Sequence, residues 1–173
     1  DQMKPDVFAA ADTMNLWINT THELLQKVIR RVHLMLLNDA EARAVSGRYN
    51  LLNAAEEIRR MGPSIVVIKK GEHGAMVFSE HGISLIPAVP LSTAKDPTGA
   101  GDTFAGGMVG YLTKFGIGNR SELAGAALMG AILASFTVEN FSVTGLATAT
   151  PQSIAERKGL LQAATQTEMQ TLA

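Results

Sequence analysis

The chain has no cysteine among its 173 residues, and this absence excludes both a disulfide framework and a thiolate zinc site. It also lacks an excess of either charge, because 15 Lys and Arg stand against 16 Asp and Glu. A basic surface that could hold nucleic acid or an anionic membrane is therefore not expected. No apolar run approaches membrane-spanning length and no charged-then-apolar leader is evident, so we expect a cytoplasmic protein without nucleic-acid or membrane partners.

What is present is ordinary globular composition, with 46% apolar and 18% charged residues. A chain of this length supports one domain with a packed core. The sequence begins at Asp1, directly before a strand-like segment. We therefore expect residues 1–173 to form one domain portion taken from a longer or processed chain.

Short apolar runs alternate with helix signals over the first half of the chain. Strands are predicted at residues 7–11, 33–37, 65–68, 75–78 and 83–86. Thr20 with Glu23 three residues later predicts a capping box that opens the first helix. Gly62 followed by Pro63 predicts the end of the second helix.

The second half of the chain reads as mostly helical. Helices are predicted over residues 104–115, after Asn119 with Glu122 as its capping partner, and from Pro151 onward. The polar residues after about Ala164 are predicted to fray.

This alternation of strands and helices predicts an α/β fold, with a mostly parallel sheet and helices on both of its faces. Ligands of such sheets bind where the parallel strands end at their carboxyl edge. Asp12, Asn38 and Gly71 follow three of the predicted strands. We therefore expect them, together with Gly99, near one rim of the sheet.

The segment 96–104, Asp-Pro-Thr-Gly-Ala-Gly-Asp-Thr-Phe, carries the strongest chemical signal. Pro97 fixes a turn, and Gly99 and Gly101 let the backbone approach a ligand closely. The helix that begins near Asp102 presents unpaired N–H groups and its positive dipole end, which together favour an anion. Asp102 is then either a base for phosphoryl transfer or a simple helix cap.

Three further glycines, Gly106, Gly107 and Gly110, lie inside the helix that follows. Each costs roughly 1 kcal/mol relative to alanine. We therefore expect a close packing partner against this part of the helix backbone.

Residues 96–107, with the sequence DPTGAGDTFAGG, resemble the second signature of the ribokinase-like, or phosphofructokinase B (PfkB), carbohydrate kinases. The resemblance implies a three-layer αβα fold and ATP-dependent phosphoryl transfer to a hydroxyl group. It also implies that Gly99, Ala100 and Gly101 cradle the transferred phosphoryl group. Asp102 would deprotonate the acceptor hydroxyl.

Two other segments resemble the same family in the same order. Asn38-Asp39-Ala40-Glu41 matches its N-x-x-E element, which implies that Glu41 helps to hold Mg²⁺ and that Asn38 lies by the nucleotide. The same spacing is also an ordinary capping box. Both roles can hold at once.

The stretch 69–74 resembles the nucleotide loop of the family, which implies that Lys69, Lys70, Gly71 and Gly74 line the ATP site. Taken alone it is equally a plain turn between strands. Lys69 departs from the family pattern, because many relatives have Thr there. The helix over about residues 125–136, which includes Gly130, would form one wall of the adenine pocket.

The resemblance has two weaker parts. Residues 12–15 only loosely match a turn that some family members present to substrate, which implies substrate or phosphate contacts for Asp12 and Asn15. The N-terminal region of the family, with its first signature, most acceptor-binding residues and the lid, has no counterpart here. Residues 1–173 are therefore interpreted as the nucleotide-binding and catalytic portion alone.

The leading hypothesis is a kinase that uses ATP and Mg²⁺ to phosphorylate a sugar, sugar derivative or nucleoside. An alternative is a nucleotide-binding fragment without catalytic activity of its own. A dinucleotide-binding oxidoreductase is disfavoured, because no G-x-G-x-x-G follows the first strand. The sequence leaves the acceptor and the oligomeric state open, a homodimer being one option.

Overall fold

In a computed structural model, residue 4 and residues 6–165 are described, and they form a five-stranded sheet with strands in the order β1-β2-β3-β4-β5. The strands are β1 Ala10–Asp12, β2 Leu34–Asn38, β3 Ile65–Lys69, β4 Ala75–Ser79 and β5 Gly82–Ile86. The first three are parallel, and β4 is antiparallel to both of its neighbours. Four of the five strands thus run in one direction, which confirms the mostly parallel sheet.

The helices connect and cover these strands. They are α1 Asn15–Thr20, α2 His22–Ile29, α3 Asp39–Ser46, α4 Leu51–Met61, α5 Ala100–Phe115, α6 Arg120–Val138, α7 Thr144–Ala147 and α8 Pro151–Thr165, with a short 3₁₀ turn at Gly71–His73. The predicted end of α4 at Gly62, the capping box of α6 and the start of α8 at Pro151 are confirmed.

The alternation of side chains along the strands sorts the helices into two layers. On β2, Met35 and Leu37 face one core cluster, which α2, α3 and α4 complete. Leu34 and Leu36 point to the opposite face, where α5 and α6 supply the other half of a second cluster. The sheet therefore lies between two helical layers, as predicted for a three-layer αβα fold.

By its length and composition alone, helix α6 could cross a membrane. This differs from the expectation that no apolar run approaches membrane-spanning length. Leu123, Ala126 and Ala127 are buried in the core cluster that covers the sheet. A core helix of a globular protein has the same length and composition. Burial against the sheet accounts for the apolar character of α6.

The first helical region differs from the prediction. Thr20 ends α1 and donates its hydroxyl to the Leu16 carbonyl at 2.6 Å, so it does not cap α2. The residue before α2 is Thr21, whose side chain makes no capping bond. The capping box predicted for Thr20 and Glu23 is therefore wrong, because Thr20 already belongs to the short helix α1.

The predicted first strand, residues 7–11, is displaced to Ala10–Asp12. The predicted fraying falls on residues 166–173, which lie outside the described residues.

Candidate active site

Three neighbouring parallel strands end at one rim of the sheet, with Asp12 on β1, Asn38 on β2 and Lys69 on β3. Asp12 is in register with Leu36, and Lys69 is in register with Asn38. Because side chains alternate along a strand, all three polar residues project from the face that α5 and α6 cover. The rim predicted for Asp12 and Asn38 is thus formed.

Lys69 and Asp12 form a half-buried ion pair across the end of β2. The Lys69 ammonium donates to Asp12 Oδ2, and the side chains are only 16% and 22% exposed. The other carboxylate oxygen of Asp12 accepts from the Thr13 N–H at 2.8 Å. The chain itself therefore uses both oxygens of Asp12, which was predicted as a substrate contact.

Glu41 is buried in the first turn of α3, where it forms a reciprocal capping box with Asn38. The Asn38 N–H donates to Glu41 Oε2 at 2.8 Å, and the Glu41 N–H donates to Asn38 Oδ1 at 2.8 Å. Burial raises the pKa of Glu41, and this is the largest influence on it. The hydrogen bond from the Asn38 N–H lowers the pKa. The nearby Asp12 carboxylate raises it and the Lys69 ammonium lowers it. Glu41 therefore lies in the field of the Asp12–Lys69 pair.

Helix α5 begins without a side-chain cap. Gly99 is the residue before the helix and has a left-handed backbone with φ 79°. The Ala100 N–H reaches the Pro97 carbonyl at 3.0 Å, and the Thr103 N–H reaches the Gly99 carbonyl at 2.9 Å. Within residues 6–165, the N–H groups of Gly101 and Asp102 between them have no acceptor. The turn thus offers two free donors at the positive end of a helix.

Asp102 is the third residue of α5 and is exposed. Its carboxylate makes no capping bond, and it has no hydrogen-bond or ion-pair partner in the described part of the chain. The interpretation of Asp102 as a simple helix cap is therefore wrong, because Gly99 occupies the cap position. The carboxylate is free to act on something outside the chain.

The turn after β3 closes on itself. The Lys70 N–H donates to the Gly74 carbonyl at 2.7 Å, and the Gly74 N–H donates to the Gly71 carbonyl at 3.1 Å. Gly71 has φ 58° with open space around it, whereas a Cβ at Gly74 would lie 2.0 Å from the Ile86 carbonyl oxygen. Gly74 is thus required by packing, and Gly71 leaves its side of the turn clear for a ligand.

A cavity of about 530 Å³ joins this turn to the start of α5. Its lining includes Lys69, Gly71, Gly74, Ala100 and Gly101. The loop between β5 and α5 and one side of α6 add mostly apolar residues: Val89, Pro90, Leu91, Ala131, Ala134 and Val138. The loop contribution was missed from the sequence, since its prolines and apolar residues show no strand or helix pattern.

Asp102 faces a second opening rather than this cavity. A groove of about 680 Å³ is lined by Asp102, Thr103, Gly106 and Gly110 among others. The first turn of α5 thus separates the cavity from the groove, with Gly101 on one side and Asp102 on the other. Of the three helix glycines, only Gly107 has the expected close neighbour, because its Cβ would lie 2.9 Å from Leu133.

Three predicted nucleotide contacts, Asn38, Lys70 and Gly130, are not in the cavity lining, and neither is the predicted substrate contact Asn15. Gly130 lies in α6 against α5, where an added Cβ would lie 2.6 Å from the Phe104 carbonyl oxygen. Helix packing therefore explains this glycine, and its contact with the nucleotide stays a prediction. Asn15 is the exposed first residue of α1, and its contact with substrate also stays a prediction.

Comparison with known proteins gives these residues a family context. Residues 6–150 match the sequence model of the pfkB family carbohydrate kinases. The chain is 36% identical over 92 residues to a cytidine kinase of Thermococcus kodakarensis, which covers 51% of this chain and 33% of that protein. It is 30% identical over 117 residues to a nucleoside kinase of Methanocaldococcus jannaschii, which covers 68% of this chain and 36% of that protein.

Solved structures support the same fold. An aminoimidazole riboside kinase from Salmonella enterica, complexed with aminoimidazole riboside and an ATP analog, matches with a TM-score of 0.75 at 24% identity. The match covers 87% of this chain and 52% of that chain, so this chain spans about half of that structure and about a third of the two relatives above. Family match and fold agree, and the chain belongs to the pfkB family of carbohydrate kinases.

Proposed function

We propose that this chain is the nucleotide-binding and catalytic portion of a kinase that transfers the γ-phosphoryl group of ATP to a hydroxyl group of a sugar, sugar derivative or nucleoside. The observation that carries the proposal is the free carboxylate of Asp102, which stands beside the two free N–H groups at the start of α5. A carboxylate at an anion site repels phosphate, and a catalytic role is the physical reason to keep it there.

The cavity fits a nucleotide in shape and chemistry. Its mostly apolar lining suits a flat base, and Lys69, Gly71 and the backbone of Ala100 and Gly101 in the same lining suit phosphates. The two free N–H groups lie at the N-terminal end of α5, and the phosphates would bind there. The solved relative that contains an ATP analog supports this donor.

The reaction needs an acceptor hydroxyl beside Asp102, at the start of α5 and within direct reach of the γ-phosphorus. The acceptor oxygen attacks the γ-phosphorus, the bond to the β,γ-bridging oxygen breaks, and ADP leaves with that electron pair. Asp102 takes the proton of the hydroxyl as attack proceeds. Its position in the groove, across the first turn of α5 from the cavity, suits a base that approaches the acceptor while the donor lies beside Gly101.

Such a reaction would use Mg²⁺, which would neutralise charge on the phosphates when bound. No group of three or more His, Cys, Asp or Glu side chains converges within the described part of the chain. Mg²⁺ commonly takes one or two carboxylates together with phosphates and several waters, so a single carboxylate is enough on the side of the protein. Glu41 would hold this hydrated ion, because it lies at the same rim in the first turn of α3 beside Asn38.

The relatives favour a nucleoside among the proposed acceptors, because cytidine and nucleoside kinases are among those similar to this chain. A second candidate function is nucleotide binding without turnover. It is favoured by the open groove around Asp102. A base without a held acceptor lacks the positioning that supplies much of the rate.

Calorimetry and a transfer assay test the proposal together. The chain 1–173 should bind ATP in the presence of Mg²⁺, and the full-length protein should phosphorylate a nucleoside or sugar. Binding by a chain whose full-length form transfers nothing would select the second candidate. A well-folded chain that binds no nucleotide at all would contradict both.

A further inference from the structure

We propose that Lys69 contacts the transferred phosphoryl group directly, and that Asp12 positions Lys69 rather than contacting the acceptor. The inference rests on the proposed function, and it assigns a role to an ion pair between residues 57 positions apart in the sequence. It also reassigns Asp12, which the family resemblance associates with substrate.

The position of the Lys69 ammonium is the first observation. Lys69 ends β3 and projects from the face of the sheet that α5 covers. A Cβ built on Gly101 would lie 3.1 Å from Lys69 Nζ, so the ammonium lies directly beside the first turn of α5. The same turn holds the two free N–H groups of Gly101 and Asp102. One ammonium and two backbone N–H groups therefore lie together at the first turn of α5, where an anion would bind.

The absence of other cations in the cavity is the second observation. Of the described residues that line it, Lys69 is the one with a positively charged side chain. An ammonium carries three donors, and Asp12 uses one of them. The remaining two are available for phosphoryl oxygens, whose charge a fixed cation stabilises during transfer.

The geometry of Asp12 explains how the cation is held. Asp12 Oδ2 accepts from Lys69 while Oδ1 accepts from the Thr13 N–H, so the carboxylate is fixed at both oxygens. A flexible four-carbon stem would otherwise let the ammonium move among many rotamers. Asp12 is therefore a positioning residue, and Gly101 is small because a side chain there would displace the ammonium.

The first test compares ATP and ADP binding in the presence of Mg²⁺. Lys69→Met removes the charge and keeps the length of the stem, and Lys158→Met is the matched control on exposed helix α8. A lost charged contact to the γ-phosphoryl group should weaken ATP binding about tenfold and leave ADP binding within about twofold. An equal loss of affinity for ATP and ADP would overturn the inference about Lys69 and leave the proposed function standing. Failure of the unmodified chain to bind either nucleotide would overturn the proposed function as well.

The second test uses the space at Gly101. Gly101→Ala should weaken ATP binding in the parent chain, because its methyl group meets Lys69 Nζ at 3.1 Å. In a Lys69→Thr background the same change should weaken ATP binding less than it does in the parent chain, since the short side chain removes the clash. Gly159→Ala, in open surroundings on α8, is the control. Equal effects of Gly101→Ala in both backgrounds would show that the methyl group acts without Lys69 and would overturn the inference.

Discussion

Three of the helices within residues 6–165 carry an acidic residue at their third position, and they use it in two different ways. Glu41 in α3 and Glu122 in α6 each complete a reciprocal capping box with the asparagine that precedes the helix. Asp102 in α5 completes none, because Gly99 stands where the capping asparagine would be. Two helix starts are closed by their own side chains, and the third is left open.

The capped starts of α3 and α6 add to stability, whereas the uncapped start of α5 leaves groups available to a ligand. A side-chain cap typically contributes about 1 kcal/mol by satisfying N–H groups at the helix start. At α5 two N–H groups and one carboxylate are left for solvent or a ligand. The chain thus forgoes at α5 the stabilisation that it gains at α3 and α6. The proposed binding and catalytic role of the start of α5 would account for this difference.

The largest expected effect comes from removing the free carboxylate. Asp102→Asn keeps the size of the side chain, so folding should persist within roughly 1 kcal/mol and ATP affinity should hold or rise. In the full-length protein, loss of the base should lower turnover by about 10²–10⁴-fold. Steady-state kinetics, with chemical denaturation of the same samples, checks both parts.

The matched control is Glu122→Gln, which alters the third residue of α6 and completes the same box with an amide. Its turnover should equal that of the parent. If Asp102→Asn turns over within a few-fold of the parent, the open start of α5 binds but does not catalyse, and the proposed base is wrong.

Local chemistry in the sequence was enough to identify the open helix start. Gly99 and Gly101 before a helix predicted free N–H groups, and Asn38 with Glu41 predicted a box that the structure confirms. The Thr20 box failed because the same spacing occurs where one short helix ends and another begins. Spacing alone does not distinguish these two situations.

The Asp12–Lys69 pair could not be predicted, because it depends on sheet register. Only the pairing of Asp12 with Leu36 and of Lys69 with Asn38 puts both side chains on one face of the sheet. A register shift of one residue would have sent one of them to the opposite face. Tertiary pairing of this kind leaves no local signal in the sequence.

A smaller effect is expected at the turn that faces α5 across the cavity. Gly71→Val forces a β-branched residue into a left-handed backbone with φ 58°, at a cost of about 1–2 kcal/mol in stability. The distorted turn should also weaken nucleotide binding about tenfold. Calorimetry and denaturation together measure the two effects.

Gly47 supplies the control for that change. It ends α3 with φ 66° and, like Gly71, has open space around it. Gly47→Val should therefore cost similar stability without weakening nucleotide binding. Equal loss of nucleotide affinity in the two variants would show that Gly71 affects the fold rather than the ligand.

The capping residues Glu41 and Glu122 should differ in their effect on the Mg²⁺ dependence of turnover. Gln completes a capping box as Glu does, so Glu41→Gln and Glu122→Gln should both fold normally. If Glu41 also holds the hydrated ion, only Glu41→Gln should raise the Mg²⁺ concentration needed for half-maximal turnover, by a few-fold. A Mg²⁺ titration of the full-length protein that is unchanged by Glu41→Gln would leave this residue with capping alone.

The smallest expected effect is a pH dependence of stability in the chain without Mg²⁺ or nucleotide. Burial raises the pKa of Glu41 in the folded state above its ordinary value, so the folded chain holds this proton more tightly than the unfolded chain does. The stability from that proton is complete below the ordinary value of 4.5 for the Glu41 pKa and is lost as pH rises through the raised one. Glu41→Gln has no proton to lose at this position, so its stability does not change in this way.

At low pH the free energies of unfolding of the two proteins should therefore agree within about 0.5 kcal/mol. As the pH rises, the variant should become more stable relative to the parent. Urea unfolding of both across this range measures the difference, with Glu122→Gln measured in parallel. A gap that stays constant with pH would mean that Glu41 is solvated like a surface carboxylate, and the buried capping box at α3 would then be no different from the one at α6.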